Sequence, residues 1–158
     1  MTTQYRFWIF IGMAMLTGCS TTPAPIIDLA NSHWQSWQGQ ALWKTTTGTE
    51  IAGDVLLARS DTGEIYAELS KSPIVVIHVQ TTRNGKQARW WLNSLDGGKH
   101  QGTGSPPTQV IWFALPDIVA SGAMTDSTAW HVNTTGAGEI TVENPLTGER
   151  IQLFLDGV

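Results

Sequence analysis

The chain has one cysteine, Cys19, in 158 residues. A lone thiol allows no internal disulfide and no cysteine-rich zinc site, so the fold must rest on burial. Positive charge is also scarce: nine Lys and Arg stand against thirteen Asp and Glu, a net charge of −4. That balance gives no electrostatic case for nucleic acid. No apolar run reaches the about 20 residues that a membrane-spanning helix needs. The four histidines, His33, His78, His100 and His131, contain no pair at i, i+4, so the usual helical zinc spacing is missing. There is no Gly-x-Ser-x-Gly elbow. The glycines around 97–104 are not followed by Gly-Lys-Ser/Thr, which excludes a phosphate loop. The carboxylates fall in turns and on polar strand faces, where solvation accounts for them. His78 alone sits within an apolar strand, and a hydrogen-bonded core histidine explains it. The expectation is a protein that is not an enzyme, with no cofactor and no metal.

The N-terminus is what the chain does have. Arg6 and the α-amino group give a positive end, and 7–16 form a short apolar run. A short apolar run behind positive charge, closing on small residues, is the pattern of a secretory signal. Leu16-Thr17-Gly18-Cys19 resembles the lipobox of bacterial lipoproteins, in which diacylglycerol is attached to the cysteine and the signal peptide is removed before it. The resemblance implies a signal peptide over 1–18, lipidation at Cys19 with diacylglycerol and palmitate-type chains, and a short tether over 19–25. Acyl chains contribute about 0.8 kcal/mol per buried CH₂, and stable anchoring takes more than one chain. An acylated Cys19 is also no nucleophile. Ser20, rather than Asp, follows the cysteine; by the same resemblance this favours the periplasmic face of the outer membrane. Without 1–18 the mature chain keeps eight Lys and Arg and all thirteen acids. Its 140 or so residues suit a single domain over 26–158.

Trp is abundant, with eight in the chain. That suits a bulky aromatic core or an apolar binding surface. Ile26, Leu29, Ala30, His33, Trp34 and Trp37 recur at spacings of three and four, which predicts a helix over 26–37 ended by Gly39. A first strand is expected within 42–49. Alternation then predicts strands over 51–58 and 64–70, joined by an Asp61-Thr62-Gly63 turn. Residues 74–79 are apolar on both faces apart from His78, as in a strand covered on both sides. Asn84-Gly85 marks a hairpin leading to a strand over 87–93. Trp90 and Trp91 must there point to opposite faces, so either both faces are covered or one Trp binds a partner. A glycine-rich strand follows at 100–105. Ser105-Pro106-Pro107 reads as a helix start, with an apolar helix through 110–115, a kink or restart at Pro116 and an end at Gly122. Strands over 129–134, 139–144 and 150–155 close the domain.

The predicted fold is mainly β with helices: a curved antiparallel meander forming an unclosed barrel, covered by the N-terminal helix and the inserted apolar helix. Lipobox, early helix, meander, a Leu115-Pro116-Asp117 step and a last set of strands resemble the lipoprotein-localisation (Lol) carrier and outer-membrane receptor superfamily. The resemblance is carried by 53–57, 65–69, 73–79 and 115–122. It implies a hydrophobic cavity that binds acyl chains, lipid or lipoprotein in the periplasm. Candidate lining residues are Leu57, Val76, Trp90, Trp91, Trp112 and Phe113, each of which also suits plain core packing. The partners expected are membrane lipid through Cys19 and a lipid or lipoprotein ligand. The alternative is a structural or assembly lipoprotein that binds another envelope protein without a lipid ligand.

Overall fold

A computed structural model describes residues 23–31, 33–122, 129–136 and 138–156. The expected signal peptide and Cys19 lie outside the described residues. Nine strands form one open antiparallel sheet: β1 (Trp34–Lys44), β2 (Glu50–Ser60), β3 (Ile65–Lys71), β4 (Ile74–Asn84), β5 (Gln87–Ser94), β6 (Gly98–Thr103), β7 (His131–Thr134), β8 (Glu139–Asn144) and β9 (Glu149–Leu155). Their spatial order is β6-β5-β4-β3-β2-β1-β9-β8-β7. The first six strands are a plain meander. The last three continue it from the other side of β1, so β1 joins the two halves. Its register runs from Trp34 opposite Ser60 to Lys44 opposite Glu50 on one side. On the other it runs from Gly39 opposite Leu155 to Lys44 opposite Arg150. The sheet is not closed, and β6 and β7 are its edges.

Two expectations about helices are corrected. No helix forms over 26–37: residues 23–28 have no regular structure, and Trp34 begins β1. The spacing of three between Trp34 and Trp37 mimics a helical face. The pattern that governs is the period of two in Trp37, Gly39, Ala41 and Trp43. Its smallest member has a reason to be small. A Cβ on Gly39 would fall on the carbonyl oxygen of Phe154 in the neighbouring strand, so glycine lets β1 and β9 approach. Nor does one apolar helix run from 105 to 122. Ile111–Phe113 make a single 3-10 turn, and Leu115–Ser121 form the one α-helix among the described residues, α1. Pro116 lies in the first turn of α1, where its missing N–H costs nothing. The same ring would clash with a preceding helical turn, so the segment breaks ahead of it. Gly122 caps α1 in the left-handed conformation.

The face of the sheet that carries α1 is called inner. Alternation places Trp37, Ala41 and Trp43 of β1 on it, with Val55 and Leu57 of β2. Ala67 and Leu69 of β3, Val79 of β4, Ile140 and Val142 of β8, and Ile151 and Leu153 of β9 join them. All are buried in one continuous cluster with the 3-10 turn and α1. Burying apolar surface on this scale is the main favourable contribution, about 25 cal/mol per Å² removed from water. Arg59 of β2 reaches Asp117 of α1 at 2.7 Å, a half-exposed ion pair between the helix and β2. The glycine at 102 is explained by packing: the Trp90 ring of β5 occupies the place where its Cβ would stand.

Candidate functional site

The inner face is where the sequence placed an apolar cavity. Leu57, Val76, Trp112 and Phe113 come together there in the core, and half-buried Trp90 packs against them. Val76 joins the core through a register shift in the β3–β4 pairing: Ile77 faces Leu69 and Val75 faces Ser70, so Val76 has no partner of its own. Trp112 is 1% exposed and heads the fully buried side chains by size. Its ring meets Trp43 edge-on, with centroids 5.4 Å apart at 78°. Phe113 meets Trp90 in the same way at 6.0 Å and 81°. These side chains fill the space between the sheet and the helical segment. A depression of about 330 Å³ lies at the rim, beside Phe113, Pro106, Ile65, Thr81 and Ala88.

The indole groups differ in how they are satisfied. Trp43 donates its Nε1–H to Glu149 Oε1 at 2.9 Å. Burial raises the pKa of that carboxyl, and the Trp43 bond works against the rise. Trp112 Nε1 is buried with no partner among the described residues. A buried donor without an acceptor costs about 1–3 kcal/mol, so the plug of the inner face is held by packing in spite of its polar atom.

Trp91 is not part of this site. It lies opposite Gln80 on β4 and Gln101 on β6, on the outer face, and is 8% exposed. The Trp90-Trp91 pair therefore has both its faces covered. The outer cover includes the N-terminal segment: buried Gln80 donates its Nε2–H to the Pro25 carbonyl at 2.8 Å. Pro23 and Ala24 then wall a cavity of about 220 Å³ with His78, Trp91, Asn93 and Lys99. Trp91 Nε1 and His78 Nε2 are both buried with no hydrogen-bond partner at those atoms among the described residues. His78 is pulled below the usual histidine pKa, mainly by burial, with the Glu68 charge and a hydrogen bond with Gln80 opposing. Tyr66 packs on the His78 ring at 4.9 Å and donates to Glu68 Oε2 at 2.6 Å; burial and Glu68 raise its pKa.

Further along the outer face, Gln38, Gln40, Asp54, Glu68, Phe154 and Asp156 line an open trough of about 670 Å³. It is acidic, and Phe154 is an exposed apolar residue at 47%. Sequence reasoning missed Trp43 and Gln80. Trp43 was detectable, because it continues the period of two from Trp37. Gln80 had no local signal, since its role depends on a chain segment 55 residues away. Among the described residues, no group of three or more His, Cys, Asp or Glu could hold a metal ion. No protein-family model matches the chain, and no curated protein is significantly similar to it.

Proposed function

We propose that this is a lipoprotein held at the periplasmic face of the outer membrane by acylated Cys19, with its apolar inner face serving as a gated site for an acyl chain, a lipid or the lipid part of a lipoprotein. The observation that carries this reading is Trp112. It fills the centre of the inner face, yet its buried indole N–H has no partner among the described residues. It rides on a short segment made of a 3-10 turn and a seven-residue helix. A polar contact that ties the segment to the sheet is the Arg59–Asp117 pair, with both side chains about half exposed, and such pairs contribute only about 0–1 kcal/mol. Lifting the segment uncovers Trp43, Leu57, Leu69 and Val79 as one apolar surface and lets Trp112 Nε1 bond to water. An acyl chain entering that space replaces the apolar contacts Trp112 gives up. The chemistry is binding and release, with no bond made or broken.

The test uses Cys19→Ala protein, which is released from the membrane. Native mass spectrometry after incubation with palmitate or phosphatidylglycerol should show a stoichiometric complex. Protein that stays empty under conditions where it is folded refutes the reading. A second reading is favoured by the acidic trough on the outer face. There Phe154 stands exposed among Asp54, Glu68 and Asp156, which suits docking of a basic segment of another envelope protein. Crosslinking in intact membranes from a photoreactive residue at 154 should then capture one defined protein.

A further inference from the structure

The two ends of the sheet carry different turns. Strand pairing puts the β1–β2, β3–β4, β5–β6 and β8–β9 turns at one end. The β2–β3 and β4–β5 turns lie at the other. Turns ordinarily take Gly, Pro, Asn, Asp and Ser. The second end keeps to that habit, with Asp61-Thr62-Gly63 and Asn84-Gly85-Lys86. The first does not. Leu95 opens the β5–β6 turn and is 71% exposed, and Leu146 in the β8–β9 turn is 85% exposed. Ile74 and Val75, where β4 leaves the β3–β4 turn, are exposed as well. Among the described residues, four of the six large apolar side chains that face water are thus at this one end.

The leucines are held in place by backbone bonds that leave their side chains outside the core. The Leu95 N–H donates to the Val76 carbonyl at 2.9 Å, and the Gly97 N–H to Ser94 Oγ at 2.9 Å. The Leu146 N–H donates to Asn144 Oδ1 at 3.0 Å, and the Gly148 N–H to the Asn144 carbonyl at 2.8 Å. A polar residue would serve either turn equally well. From β5 to β8 the registers carry the turns progressively further along the strand direction, as strand tilt requires if they are to form one rim. Strands lie about 4.8 Å apart, so this rim is several strands wide. A small ligand cannot touch both Leu95 and Leu146. A lipid surface can.

The N-terminal segment selects the same end. Pro25 is bonded at Gln80, which lies in a row with Trp91 and Gln101. Pro23 and Ala24 also lie beside His78, Asn93 and Lys99, the next outer row toward the β5–β6 turn. Cys19 stands four positions ahead of Pro23, and four residues reach at most about 14 Å. An anchor at Cys19 therefore keeps the β5–β6 turn close to the bilayer.

We propose that the domain stands on the bilayer with this end down, Leu95 and Leu146 seated among the lipid head groups and Ile74 and Val75 facing them. The rim is a second membrane contact, beyond the acyl chains, and it fixes which way the domain points. The choice of end by the N-terminal segment rests on the lipid-anchor reading; the apolar rim does not. Acyl binding at the inner face is a separate event.

The experiment places full-length acylated protein in phosphatidylcholine vesicles containing spin-labelled phosphatidylcholine. An environment-sensitive fluorophore is attached, one position at a time, to Leu95→Cys, Leu146→Cys, Thr62→Cys and Lys86→Cys. Labels at 95 and 146 should emit to the blue and be quenched by the spin-labelled lipid, while those at 62 and 86 report water. Equal behaviour at all four positions, or a response at 62 and 86 alone, overturns the proposal. Protein without an added cysteine takes no label if Cys19 is acylated. If it does take label, the anchor reading fails by itself, and Cys19→Ala protein then tests the rim alone. Sedimented with vesicles, Cys19→Ala protein should lose about tenfold or more of its binding when Leu95→Ser and Leu146→Ser are combined. Both side chains are exposed and the turn bonds are kept, so this variant folds. The contact is apolar, so binding should persist in about 0.5 M salt. Binding unchanged by the double substitution overturns the proposal, as does self-association that the double substitution abolishes, which would make a second copy the occupant.

Discussion

Replacing Trp112 by alanine separates a plug from a structural keystone. A fully buried Trp removed from a core ordinarily costs about 3–5 kcal/mol. Trp112 fits that description by exposure, at 1%. Its unpaired Nε1–H, however, already costs the folded state about 1–3 kcal/mol, and the substitution removes that burden. The expected net loss is therefore about 2 kcal/mol. Trp43 supplies the control. It is less buried, at 8%, but its N–H is bonded to Glu149 at 2.9 Å. Trp43→Ala loses both packing and bond and leaves Glu149 without its donor, so it should cost the full 3–5 kcal/mol or about that. Burial alone predicts the opposite order. Urea unfolding followed by far-UV circular dichroism measures both, free of the fluorescence changes that Trp substitutions bring. At about 2–4 °C per kcal/mol for a chain of this size, the difference is also visible in Tm. Trp112→Ala should further increase palmitate uptake, because it empties the space a chain would enter. If Trp112→Ala proves as costly as Trp43→Ala, or leaves palmitate uptake unchanged, the argument for a displaceable plug fails.

Other consequences can be checked as directly. Gly39→Val should destabilise by about 2–3 kcal/mol or more, because its Cβ meets the Phe154 backbone and one strand must move; thermal melts report it, and an unchanged Tm would mean that β1 and β9 do not pair in this register. Arg59→Ala should cost no more than about 1 kcal/mol, since the ion pair with Asp117 is half exposed, and a double-mutant cycle with Asp117→Ala isolates the coupling. Glu149→Gln should raise Tm at pH 7. Burial lifts the folded-state pKa of Glu149 above its unfolded value, so its favourable contribution is present in acid and is lost as pH rises through the folded pKa; the gain from Gln should vanish below pH 4. His78 behaves in the converse sense: its folded pKa is lowered, so stability from its neutral form is lost as pH falls from the unfolded value near 6.5 toward the folded one, and His78→Gln should flatten that part of the pH–Tm curve.

How far the sequence carried depended on the range of the forces involved. Strands β2, β3, β5, β8 and β9 were legible because alternation and turn residues act over a few positions. In β3, β8 and β9 the residues on the expected apolar face, such as Leu69, Val142 and Leu153, are the buried ones, as are Val55 and Leu57 of β2. β1 was misread in its first half because Gly39 and Ala41 are too small to register as an apolar stripe. The size of Gly39 answers to β9, more than a hundred residues away. The helical segment failed for a different reason. Apolar composition all round 110–115 suits a buried helix and a buried turn equally well. Pro106, Pro107 and Pro116 then leave room only for a 3-10 turn and seven residues of α-helix. Among the site candidates, composition alone could not tell Trp90 from Trp91. Alternation required opposite faces for them, and only the packing of Phe113 on one side and the Gln80–Pro25 bond on the other decides which face each takes.

That division bears on what the two faces can do. A one-sided sheet of this length would leave its outer face to water, and most of the outer residues of β1, β2 and β9 are polar accordingly. The exception is the strip Tyr66, His78, Gln80 and Trp91, which crosses three strands and is buried or half buried. Nothing in the core requires aromatic and polar groups there, because the inner cluster is complete without them. Ordinary packing would favour small or aliphatic residues under a Pro-Ala-Pro segment. Instead Gln80 uses its amide to fix that segment, and Trp91 buries an indole nitrogen that no described residue satisfies. Each such atom is a cost to stability. The Gln80 bond to the Pro25 carbonyl offsets part of that cost, so the outer strip answers to the seating of residues 23–25 on the sheet and not to the inner cluster.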